Sequence, residues 1–460
     1  MGRFKLVPLS LSVIFWTVFL LSENVFAIQE YSLDDLYRIA LERAEKIKIS
    51  EEDLYISEMG KNKALAALIP KLSTFYNYTK YSDDKYSTAG SLNQPQDSSS
   101  WGLRLDQSFS ISVREFTAYG ISRETIEKSR YDLFAVRESY LYSVASAYYD
   151  VLKSRKTVDI SKANVDRLKK HRDSAAIRLK VGEVTKTALL RAEAELSGAQ
   201  SEFVKAENRL KLVKAVLARV VGIDNNYELK EAQPSVYSST SNDMIFIAGN
   251  CKVATIDCLK ENALAERAEF KSVNMQKKIA EEQVKYAKGA YLPTLSIEGV
   301  YSKKDDNPAA ASFVKESIYG GIKLNFPFFE GGLRKAEARE AESKLRQSEL
   351  AYEDLKKTIH IEVENAYLDL ITQKGILKSL EDQAAFARDN YNAVSRQFDF
   401  GLANSLDVMD ANTLLVTAER QLIDAQYNYQ LSILKLKHST GTLLKAIINR
   451  QAAAATLNKK

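Results

Sequence analysis

The stretch LLRAEAELSGAQSEFVKAENRLKLVKAVLARVVG, residues 189–222, decides how the chain is read. Its positions Leu189, Ala192, Leu196, Ala199, Phe203, Ala206, Leu210, Val213, Leu217 and Val220 step alternately by three and four, a sustained heptad seam. Large residues alternate with alanine, which suits close helix-on-helix packing rather than a thick globular core. The seam returns as Val408, Ala411, Leu415, Ala418, Leu422, Ala425, Tyr429, Ser432 and Leu436. The offset is constant: 401 − 182 = 219 for Gly182 and Gly401, and 441 − 222 = 219 for Gly222 and Gly441. Ala147, Tyr148 and Asp150 meet Ala366, Tyr367 and Asp369 at the same spacing, so the chain is an internal duplication.

Working outward, the prolines stand at 8, 70, 95, 234, 293, 308 and 327, which leaves 96–233 and 328–460 free of them. Such gaps suit very long helices, because an interior proline removes a hydrogen bond and clashes with the preceding turn. Residues near 112–181 and 333–400 would each reach on the order of 100 Å at about 1.5 Å per residue. Earlier in each half the offset is 223, pairing Ala40 with Ala263, Pro70 with Pro293 and Leu72 with Leu295. The four-residue difference must fall between the two registers. There the period changes to two: Trp101, Leu103, Leu105, Gln107 and Phe109 share one parity, as do Ile322, Leu324, Phe326 and Phe328. Two more strands are expected at about 71–81 and 294–303, with polar loops at 82–100 and 304–312.

Composition narrows the function. A net charge of +5 with 27% charged residues gives no basic face to mark a nucleic-acid binder. Arg3 and Lys5, the apolar run Leu6–Leu21 and Val25-Phe26-Ala27 read as an export leader cleaved after Ala27. No later apolar run has spanning length. Cys251 and Cys258 are read two ways, as a disulfide that an exported chain permits or as two unpaired thiols. His171, His360 and His438 lack metal-ligand spacing, and neither a phosphate-loop pattern nor a Gly-x-Ser-x-Gly elbow is present, so no enzyme, metal or cofactor is expected.

Strands with one apolar and one polar face match a membrane β-barrel. Four strands enclose nothing, and lipid forbids open sheet edges, so the chain must oligomerise; three copies give 12 strands. A soluble sandwich would bury the same faces. The leader and the long helices favour the barrel.

The ordered set Ala290-Tyr291-Leu292-Pro293-Thr294-Leu295-Ser296, Phe326-Pro327-Phe328-Phe329-Glu330-Gly331-Gly332 and Phe400-Gly401 through Leu406-Asp407-Val408-Met409-Asp410-Ala411 resembles the TolC family of outer-membrane efflux and secretion channels. The resemblance covers about 31–445. It implies a mixed α and β membrane protein, a homotrimer with a 12-stranded barrel in outer-membrane lipid and a 12-helix periplasmic α-barrel below it. It further implies a passive exit duct for a tripartite efflux pump or type I secretion system, with a periplasmic adaptor and an inner-membrane pump as partners. The organisation expected is a leader at 1–27, a first unit at 28–222, an equatorial segment at 223–260, a second unit at 261–444 and a periplasmic tail at 445–460. A periplasmic coiled-coil scaffold or adaptor is the competing reading; it explains the heptads but not the aromatic strands.

Candidate functional residues gather at the hairpin tips. Asp407 and Asp410, three apart, share a helix face; they are read as a solvated face or, through the resemblance, as an acidic ring that concentrates cations at the entrance. The sequence departs from the family's entrance contacts at Ala188, Phe398 and Ala403. A substitute is suggested by register, because 410 − 191 = 219 sets Arg191 level with Asp410 as a gate partner. The tips Gly182-Glu183-Val184 and Gly401-Leu402-Ala403 resemble the adaptor-docking surface, while a tight turn alone would also require their glycines.

Overall fold

The computed structural model describes residues 29–231, 255–310 and 313–457, with backbone alone for 451–457. The leader and Cys251 therefore lie outside the described residues. The duplication governs everything else. Helices α1 (Leu33–Arg43) and α2 (Glu45–Ala66) return as α5 (Ile256–Glu266) and α6 (Ala268–Gly289). The 67-residue α3 (Arg114–Lys180) returns as the 67-residue α7 (Leu333–Asp399), and α4 (Lys186–Val221) as α8 (Ser405–Ser439). Even the caps repeat: Ser32 and Thr255 accept at the starts of α1 and α5, and Ala44 and Arg267 break both helix pairs in the same extended conformation.

Helix α5, capped by Thr255, runs across the expected boundary at 261. The segment expected as a tail from 445 falls on helix α9 (Leu443–Leu457), whose Leu443, Leu444 and Ile447 are buried in the core beside α1 and α3. Strand β1 (Gln29–Tyr31) pairs in parallel with β6 (Tyr227–Leu229), which ties the inter-unit segment to the start of the described chain. Around this belt lie two equivalent cores. Leu36, Val144, Ala147 and Leu217 in the first correspond to Leu259, Val363, Ala366 and Leu436 in the second.

The sheet is antiparallel in the order β2-β5-β7-β8, from β2 (Lys71–Lys80), β5 (Asp97–Ser110), β7 (Thr294–Asn307) and β8 (Glu316–Asn325). The connections are 81–96 and 308–315; each counted with its preceding strand, 71–96 and 294–315 differ by four residues (26 − 22 = 4), so the missing four residues of the second register lie within those bounds. Inside the first connection, β3 (Lys85–Tyr86) and β4 (Leu92–Gln94) form a small hairpin in what reads as loop. Strands β5 and β7 are also longer than alternation suggests, because Ser98, Ser99 and Ser100 pair with Asp306, Asp305 and Lys304. Phe326 and Phe328 lie beyond the end of β8. Gly102 is required where it stands: a Cβ there would come within 2.2 Å of the Tyr301 carbonyl oxygen and 2.7 Å of the Phe75 ring.

Gly441 allows another close approach. Its φ is +70°, and a Cβ would lie 2.8 Å from the Arg267 backbone nitrogen. The α8–α9 turn therefore presses onto the α5–α6 joint. Beneath it Glu138, buried on α3, accepts the Leu443 N–H at 2.9 Å. Burial lifts this carboxyl from 4.5 to about 7, so the fold prefers the protonated form. Its contribution is complete below the unfolded value of 4.5 and is lost as pH rises through about 7. His438, on α8, acts oppositely; burial holds it at about 4, so its contribution is lost as pH falls below 6.5. Glu138→Gln keeps the acceptor without the charge and should stabilise the protein at pH 8 by on the order of 3 kcal/mol, with little effect at pH 4.5. Urea unfolding of the detergent-solubilised chain tests this; an unchanged pH profile in the variant refutes it.

Candidate functional site

The conduit is built from faces and edges. Register puts Leu72, Thr74, Tyr76 and Tyr78 of β2 on one face with Trp101, Leu103 and Leu105 of β5. The same face continues through Leu295, Ile297 and Tyr301 of β7 to Ile318, Ile322 and Leu324 of β8. Nearly all of it is exposed: Leu72 is 71%, Ile322 76% and Leu324 61% accessible. The opposite face carries Arg104, Asp106, Glu298 and Lys323, with Ser108–Ser296 and Ser302–Ser317 hydroxyl pairs at 2.8 Å. A contiguous apolar face of this size on four strands, left bare to water, would strongly favour association or lipid. Among the described residues no second sheet packs on that face. No described helix is long and apolar enough to cross a membrane.

Below the sheet, α3 and α7 run the full length. Helices α2 and α4 pack on α3 at successive heights, and α6 and α8 pack on α7 in the same way. The lower array has the order α4-α3-α8-α7, with α4 and α7 as its outer members. The seams anticipated from sequence are the buried ones: Ala192, Leu196, Ala199, Leu217, Val408, Leu415 and Ala418 are all in the core.

At the far end, Gly182 and Gly401 adopt φ of +79° and +74°, the left-handed conformation that turns each hairpin. Val181, Phe400 and Leu402 around them are 66%, 80% and 79% exposed, while Glu183 sits 3.8 Å from Arg178. Asp407 and Asp410 are both exposed on α8. The Asp407 carboxylate accepts the Asn404 N–H at 2.9 Å in a capping box, a local duty that by itself accounts for an acid there. Asp410 has no such duty. Arg191 and Asp410 form no ion pair among the described residues; they hold equivalent positions, each the sixth residue of its helix, on α4 and α8.

The contacts that do join the hairpins were not anticipated. Arg167 donates to Asn412 at 2.9 Å, and Asn412 donates to Asn164 at 2.7 Å. His171, buried, shares a 2.8 Å hydrogen bond with Ser405 and packs against Phe398 at 4.8 Å. Burial lowers its pKa and holds the ring neutral. Arg178 donates to the Asp399 carbonyl oxygen at 2.6 Å and lies 4.6 Å over the Phe398 ring. Asn164, Arg167, His171 and Arg178 step by three, four and seven, so a polar stripe at seam spacing on α3 is the signal that would have found them. Of the cysteines, Cys258 is half-buried and is not a free thiol.

Comparisons with known proteins fall in line with this geometry. The family model described as outer membrane efflux protein matches residues 36–223 and 259–442, once per repeat. Outer membrane protein TolC of Vibrio cholerae serotype O1 is 24% identical over 99% of this chain and all of its own length. The alkaline protease secretion protein AprF of Pseudomonas aeruginosa is 22% identical over 94% of this chain and 89% of its own. Among solved structures, the CmeC outer membrane channel of Campylobacter jejuni superposes with a TM-score of 0.76 at 16% identity, covering 89% of this chain and 86% of that one. VceC of Vibrio cholerae gives 0.73 at 17% identity, covering 89% and 96%.

Proposed function

The chain belongs to the outer membrane efflux protein family, and on that premise we propose that three copies close one 12-stranded barrel over a 12-helix periplasmic tube. Its place is the outer membrane, reaching into the periplasm, and it is a passive exit duct rather than an enzyme. The observation that carries the assembly is the bare apolar face of a four-stranded sheet whose outer strands β2 and β8 each have one unpaired edge in the single chain. Lipid leaves such backbone groups unsatisfied, so closure must come from further copies. Four strands and four helical columns per chain make a three-fold ring of 12 and 12. Outer-membrane fractionation with planar-bilayer recording tests this: a heat-modifiable trimer with step conductances is expected, and a monomer that washes free would reject it.

Energy would come from an inner-membrane pump reached through a periplasmic adaptor. Relatives described as a protease secretion protein and as an outer membrane efflux protein support both secretion and efflux roles. The exposed tips Gly182-Glu183-Val184 and Gly401-Leu402-Ala403, with Phe400 between, are the surface proposed for the adaptor. Gly401→Trp that left adaptor cross-linking and export intact would contradict this.

Asp407 and Asp410 would line the entrance, six carboxylates in the ring, and favour cations. Replacing both by Asn is expected to lower cation over anion permeability several-fold in bilayer recordings; an unchanged reversal potential removes the assignment. Arg191 would pair with Asp410 between neighbouring hairpins. Exchange of the two charges should then restore whatever each single change disturbs, and lack of rescue rejects the pair. A Cys251–Cys258 disulfide is proposed for the inter-unit segment; an intact mass unchanged by reduction would exclude it.

A further inference from the structure

A cavity lies away from both the sheet and the hairpin tips, where the belt closes over the long helices. There α1 and α9 meet α3 and α8, with the end of β6 at the margin. The cavity measures about 660 Å³, within the range of small-molecule pockets, and its walls come from both repeats and the C-terminal helix.

The lining is of two kinds. Leu152, Ile423, Ile433, Leu434 and Ile447 supply aliphatic wall. Tyr148, Tyr149 and Tyr427 add aromatic rings, with Tyr149 edge-on to Tyr148 at 5.2 Å and tilted against Tyr427 at 6.1 Å. Two of these hydroxyls serve the fold: Tyr148 donates to the Lys230 carbonyl oxygen at 2.6 Å, and Tyr427 to Glu231 at 3.0 Å.

Tyr37 differs from them. It lines the cavity and is 1% exposed, yet its hydroxyl has no hydrogen-bond partner among the described residues. Buried hydroxyls are nearly always satisfied, so this one marks the place of an acceptor. The charges that act on it are Asp34 and Arg450. Arg450 stands 3.7 Å from Asp34, too far for a hydrogen bond. Lys437 lines the same cavity and has no acidic partner among the described residues. Burial, then the neighbouring Arg450, lowers its pKa, as expected of a cation short of counter-charge. The other lysines are matched: Lys156 by Glu231 at 3.3 Å, and Lys230 by the charge of Asp35. Asp34 offsets one of the pair Lys437 and Arg450, which leaves one positive charge unbalanced beside an unused donor.

We propose that this cavity binds an aromatic monoanion, a planar apolar body bearing one carboxylate or sulfonate. Its head accepts from the Tyr37 hydroxyl and meets Lys437 and Arg450, while its ring lies among Tyr149, Tyr427 and Leu434. Such a ligand joins the first helix of the described chain to the last two. The site is independent of how the copies assemble.

Naphthalene sulfonate is the probe, with naphthyl methanol as the uncharged body and methanesulfonate as the head alone. Titration calorimetry of the full-length protein in lipid nanodiscs, corrected with empty nanodiscs, should show one saturable site per chain for the sulfonate. Both controls should bind at least about tenfold more weakly. Lys437→Met keeps the apolar stem and Tyr37→Phe keeps the ring; each should weaken the sulfonate by about tenfold at native particle mass and melting temperature. Leu434→Trp, which fills the cavity, should remove binding. Lys437→Met decides alone if Tyr37→Phe fails to fold, because Lys437 is only half-buried. Equal affinity for naphthyl methanol, native affinity in the folded variants, or no saturable binding to the native protein overturns the proposal.

Discussion

Leu105→Arg is expected to abolish assembly in the outer membrane. Leu105 lies on β5 between Leu72 of β2 and Gly299 of β7, near the middle of the apolar face. An arginine on the lipid side of a barrel costs roughly 2–4 kcal/mol at the bilayer midplane. Three copies in one particle multiply this to roughly 6–12 kcal/mol, comparable with the whole stability of an ordinary domain. The neighbouring position is the internal control. Arg104 is on the opposite face, between Ser73 and Val300, so the sheet already accommodates a guanidinium one residue away. Arg104→Leu should leave the heat-modifiable band in outer-membrane fractions near its native level, whereas Leu105→Arg should remove it. Native amounts of Leu105→Arg trimer would show that this face does not meet lipid.

That contrast depends on a period of two, and the period was visible in the sequence wherever apolar residues expressed it. Trp101, Leu103 and Leu105 announce β5, and the 219 and 223 offsets place its partner strands. The start of β5 was hidden because Ser98-Ser99-Ser100 has no alternation to read; those residues are strand through their pairing with 304–306 in the other repeat. Helix α9 was hidden for a related reason. Its docking side consists of Leu443, Leu444 and Ile447, too short a stripe to stand out, and it is fixed by Glu138, some 300 residues away in sequence (443 − 138 = 305). The duplication does not foretell it: among the described residues, the stretch after Gly222 carries strand β6 where the stretch after Gly441 carries α9.

The entrance shows the same limit more sharply. Heptad reading finds apolar seams, and Ala192, Leu196, Val408 and Leu415 are buried accordingly. It passes over Asn164, Arg167, His171 and Arg178, whose types are ordinary on a solvated helix face and whose spacing alone gives them away. Asp407 shows the converse: its acid was legible, but its capping bond to Asn404 depends on the local backbone. Residues of this kind acquire meaning only when two hairpins, far apart in sequence, are brought side by side.

Arg167→Ala combined with Arg178→Ala is expected to raise single-channel conductance several-fold while leaving the trimer intact. Arg167 is largely buried and joins α3 to Asn412 of α8; Arg178 joins the end of α3 to the Asp399 carbonyl oxygen at the tip of α7. Hydrogen bonds from a charged donor are worth roughly 1.5–3 kcal/mol each, and the double change removes two in every chain. Nothing in the sheet or the belt is touched, so the heat-modifiable band should persist. What changes is the coupling of the two hairpins near the tips. Acid should act in the same direction through His171. Its pKa is lowered by burial, with Asp399 and Arg178 as the nearby charges, so its contribution is present above 6.5 and lost as pH falls. A double variant with native conductance and native pH response would mean that the intra-chain ties do not set the width of the entrance.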